Sequence, residues 1–67
     1  MKTGSSKVDV KILVEELGES EFLELAELAN ASWSVFQATV LKKPFFEGWN
    51  NYLIRNLQFS LIHWNND

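Results

Sequence analysis

The sequence predicts an all-α domain of three helices, at about residues 7–17, 21–41 and 45–64. The last two form a long antiparallel hairpin and the first packs across it. Three observations carry this expectation. Apolar residues recur at spacings of three and four through most of the chain, the period of one helical face. No later segment alternates well with a period of two, so a strand near the start would lack a pairing partner. Gly18 and Pro44 fall between the periodic stretches, where helix ends belong.

The first element admits two periods. Val8, Val10, Ile12 and Val14 alternate as a strand would, whereas Val10, Leu13, Val14 and Leu17 follow a helical stripe. The ends favour the helix: Ser6-Lys7-Val8-Asp9 has the form of a capping box, and Gly18 follows Leu17. Residues 1–6 read as a flexible N-terminus and 7–67 as one domain. The second helix is expected to start at Ser20 as N-cap, with Glu21 and Glu24 in a first turn that favours negative charge. Phe22, Ala26, Ala29, Trp33, Phe36 and Val40 then share one face. Their phase is unbroken to Leu41, so one long helix is the simplest reading, ended by Lys42-Lys43-Pro44.

The third helix carries more apolar surface than one packed face needs. Phe46, Leu53, Leu57, Leu61 and Trp64 form an inner stripe, and Phe45, Trp49, Tyr52 and Phe59 form an aromatic stripe beside it. Asn56, Ser60 and His63 run between them, and Glu47, Asn51, Arg55 and Gln58 make a wet back. If the other helices straddle this one, both stripes are core. If not, the aromatic stripe meets another chain, since aromatics are enriched at interface cores. A 67-residue chain has a marginal core, and with no cysteine it gains nothing from disulfides. Self-association through Phe45, Trp49, Tyr52, Asn56 and Phe59 is therefore expected, with Asn56 able to fix register.

Composition removes several function classes. A single histidine and no cysteine offer no nucleophile–base pair and no ligand cluster, so neither an enzyme, a cofactor nor a metal site is expected. No apolar run reaches the ~20 residues of a membrane span. The first residues lack the apolar core of a secretory signal, which predicts a cytoplasmic protein. The formal charge of −3 disfavours non-specific binding to nucleic acid. Acidic residues concentrate between Glu15 and Glu27, and Glu21, Glu24 and Glu27 are a candidate docking surface for a basic partner.

One stretch points elsewhere. In "ELAELANASWSVFQATVLKKP", Glu24 to Pro44, Leu25-Ala26, Asn30, Ala31-Ser32 and Val35-Phe36 occupy the places of a Leu-Ala pair, a turn residue, an apolar-Ser pair and an inward apolar pair. The stretch resembles the helix-turn-helix of phage-type repressors over about a third of the chain. The resemblance implies a helix that splits near Asn30 and a DNA-binding regulator with Trp33, Ser34, Gln37 and Ala38 on or near the groove-facing side. Against it, that side carries no Arg or Lys for phosphate or guanine. The expectation is a small non-enzymatic interaction module (adaptor, inhibitor or regulator), with the DNA binder as the alternative.

Overall fold

A computed structural model describes residues 8–66. Among them every regular element is helical: α1 (Val10–Leu17), α2 (Glu19–Leu28), α3 (Trp33–Leu41), a 3-10 turn (Pro44–Phe46) and α4 (Asn51–Asn65). The first element is thus a helix and not a strand. Its cap is Asp9, whose side chain accepts from the Lys11 N–H at 3.0 Å; the Ser6–Asp9 capping box falls partly outside the described residues. Gly18, at φ 91°, joins α1 directly to α2. Its N–H donates to the Val14 carbonyl and its own carbonyl accepts from Phe22, both at 3.0 Å. The helix therefore starts at Glu19, and Ser20 lies inside the first turn instead of capping it. Glu19 and Glu21 occupy that turn, with Glu24 beyond it.

The single helix expected over 21–41 is two helices. Past Leu28 the Asn30 and Ala31 amides donate to Glu27 and Leu28, three residues back, which tightens the last turn. Ser32 is extended, and its hydroxyl accepts from the Val35 N–H at 3.5 Å as the N-cap of α3. The carbonyls at the corner gain donors from α4. The Gln58 side-chain amide donates to Ala29 and Ala31 at 3.2 and 3.3 Å, and that of Asn65 donates to Ala26 at 2.7 Å. The apolar phase survives because Phe22, Ala26 and Ala29 before the corner and Phe36 and Val40 after it are buried in the same core.

The break makes Ser34→Pro informative. Ser34 is the second residue of α3, where backbone amides have no intrahelical partner and proline is tolerated. The substitution should cost under about 1 kcal/mol in thermal unfolding. A continuous helix would lose about 3 kcal/mol or more.

The segment expected as helix from 45 to 64 also divides. Gly48, again at φ 91°, ends the 3-10 turn region, and Asn50 caps α4 by accepting from the Leu53 N–H at 2.8 Å. α4 packs against α1, α2 and α3. Its core face is Ile54, Leu57 and Leu61, so the inner stripe sits slightly round the helix from the expected one. Leu53 is half-buried, and Trp64 is exposed with its ring edge-on to Phe22 at 5.0 Å. Phe46 fills the core from the 3-10 turn. With α3 only nine residues long and α4 fifteen, four short helices replace the long hairpin.

Candidate interaction surfaces

The rotation of α4 decides which aromatics meet solvent. With Ile54, Leu57 and Leu61 inward, Tyr52 and Phe59 point to the opposite side, 62% and 66% exposed. The rest of the expected aromatic stripe behaves differently. Phe45 and Trp49 precede α4 and flank the buried Phe46 ring edge-to-face, with centroids 5.0 and 4.8 Å away. Trp49 is half-buried and packs on the core, while Phe45 keeps 40% of its surface in solvent. The five candidate interface residues therefore form two groups: Phe45 and Trp49 around Phe46, and Tyr52, Asn56 and Phe59 along α4.

Beside the second group lies an open groove of about 510 Å³, walled by Val8 and Val10 on one side and by Asn56, Phe59, Ser60, His63 and Trp64 of α4 on the other. Asn56 is half-buried in this wall, and its Nδ2 is shielded from solvent without an acceptor. A buried amide N–H left unpaired costs about 1–3 kcal/mol. It is the one such side-chain atom among the described residues. Gln58, by contrast, belongs to the clamp on the corner and not to the wet back.

No family model, curated protein or solved structure matches this chain.

The α2–α3 pair is a helix, a short corner and a second helix, the arrangement implied by the repressor resemblance. Of the four residues that resemblance places toward DNA, Ser34 and Ala38 are exposed. Gln37 is half-buried and donates to the Asn51 side chain at 2.7 Å. Trp33 is half-buried under the Arg55 guanidinium, 4.7 Å above its ring. The exposed residues beside Ser34 and Ala38 are Val35 and Leu41, and α3 contains no charged residue. The residues of α3 themselves offer small and apolar contacts, and the neighbouring cations are Arg55 over Trp33 and Lys42 at its C-cap.

The acidic candidates spread along α2. Glu21, Glu24 and Glu27 are all exposed, but Glu21 pairs with Lys43 at 3.3 Å. Glu24 edges a shallow depression with Leu25, Leu28, Thr39 and Lys43. Among the described residues no group of His, Cys, Asp or Glu could hold a metal ion, and no helix is long and apolar enough to cross a membrane.

Of the residues that wall the groove, only Asn56 and Phe59 belong to the interface expected from the sequence. Val8 and Val10 supply the second wall of the groove, and their alternation carried no hint that α1 would start beside α4. Trp64 was assigned to the core stripe; its exposed flank follows from the rotation of α4.

Proposed function

We propose that this protein is a small non-enzymatic interaction module that works by self-association, with α4 as its main contact surface. The observation that carries the reading is the pairing of two largely exposed aromatics, Tyr52 and Phe59, with an amide donor at Asn56 that finds no acceptor among the described residues. Large aromatics left in water together are a mark of interaction sites, and buried polar groups are normally satisfied. The exposed carboxylates of α2 support a further role as a docking surface for a basic partner, held at longer range by charge. Adaptor, inhibitor and regulator all remain within this reading.

A second reading, a helix-turn-helix DNA binder, is favoured by the corner at 29–32 that divides α2 from α3. The uncharged outer face of α3 weighs against it. One experiment tests both. Sedimentation across a wide concentration range, with and without duplex DNA at several salt concentrations, should give a concentration-dependent dimer and no DNA complex. A persistent monomer that binds duplex with affinity falling steeply as salt rises would reverse the order of the two readings.

A further inference from the structure

We infer that the occupant of the α1–α4 groove is a second copy of this chain, with the two α4 helices antiparallel about a twofold axis at Asn56. This rests on the self-association reading and adds to it the surface, the register and the residue that fills the groove. Three features of the chain point to a copy of itself.

The first is charge. The chain is net negative, and its described carboxylates include Glu15 and Glu16 on α1 and Glu19, Glu21, Glu24 and Glu27 on α2. Two copies therefore repel through most approaches. α4 contains no acidic residue from Asn51 to Asn65, and its only Lys or Arg is Arg55, which lies over Trp33. Within α4 itself, an α4-to-α4 approach sets no carboxylate of one helix against a carboxylate of the other.

The second is the chemistry of Asn56. A side-chain amide both donates and accepts, so an identical amide across a twofold axis can supply what it lacks. The terminal amide torsion is soft, so a half-turn about it would present Nδ2, now shielded from solvent, to the groove that Asn56 lines. Such a residue at a helix–helix seam also selects one register over its neighbours.

The third is size matching. With position 56 on the axis, position 60 of one helix lies opposite position 52 of the other, because antiparallel helices count in opposite directions from the axis. The bulky, exposed Tyr52 of the second copy then comes to rest at Ser60, a small residue in the groove wall. Its ring enters the space bounded by Val8, Val10 and Phe59, and its hydroxyl comes near His63. By symmetry both grooves fill at once.

The absence of cysteine makes the register directly measurable. Only residues close to a twofold axis can join to their own copies, since a disulfide needs Cα atoms within about 7 Å. Asn56→Cys should form a covalent dimer in mild oxidant at least tenfold faster than Ser34→Cys on the exposed face of α3. As an independent arm, Ser60→Arg keeps the asparagine but fills the slot for Tyr52. It should raise the dimer dissociation constant more than tenfold with helical circular dichroism unchanged. If the unmodified chain dimerises yet Asn56→Cys links no faster than Ser34→Cys and Ser60→Arg dimerises normally, this geometry is wrong while self-association stands. A chain that stays monomeric to about millimolar concentration overturns both.

Discussion

Phe46→Ala should leave the domain unfolded at room temperature. Phe46 is fully buried, and it is the ring on which both Phe45 and Trp49 rest. Removing a buried phenylalanine side chain costs about 3–5 kcal/mol. A chain of 67 residues has about 3–10 kcal/mol of stability in total. The loss is compounded because the 3-10 turn that carries Phe46 has few other anchors, and its two flanking rings lose their shared support. Thermal and urea unfolding followed by circular dichroism measure the effect. A cooperative transition within a few degrees of the parent would show that the core does not depend on this residue.

The double variant Tyr52→Ala/Phe59→Ala should have the opposite profile. Both side chains are more than 60% exposed on the side of α4 turned from the core, so the single chain loses little packing. Alanine also has the highest helix propensity. At an interface, aromatic truncations of this kind cost about 2 kcal/mol or more at hot spots, a factor of about thirty or more in dissociation constant. Light scattering should show the association lost while helical content persists. A variant that unfolds instead would place these rings in the core. One that stays folded with unchanged association and unchanged partner binding would remove α4 as the working surface. Trp49→Ala should not be used for this purpose, because its ring packs on Phe46 and its loss acts through stability.

The helical class was legible because it depends on local periodicity, and so were the ends at Gly18 and Pro44. The rotation of α4 was not. Its apolar arc is so broad that Leu53, Leu57, Leu61 and Trp64 make as regular a stripe as Ile54, Leu57 and Leu61. Only the directions from which α1, α2 and α3 arrive choose between them. The aromatic stripe is one surface only if residues 45–64 form one helix. Gly48 and the Asn50 cap end that continuity and send Phe45 and Trp49 to Phe46. At the corner, Ser32 carried a cap signal and the repressor resemblance marked the same place. The unbroken apolar phase argued louder, since it is identical for one helix or for two that face one core.

The clamp at that corner has a consequence for the order in which the molecule assembles. The amides that hold the carbonyls of Ala26, Ala29 and Ala31 come from Gln58 and Asn65, between 27 and 39 residues further along the chain. Loops of that length close late and at an entropic cost that local turns avoid. Until they close, the bend rests on its Ser32 cap and on the packing of α2 and α3 against α4. The bend is thus held from two places, its own Ser32 cap and two amide side chains remote from it. Variation at positions 58 and 65 would retune the bend while the bending residues stay the same.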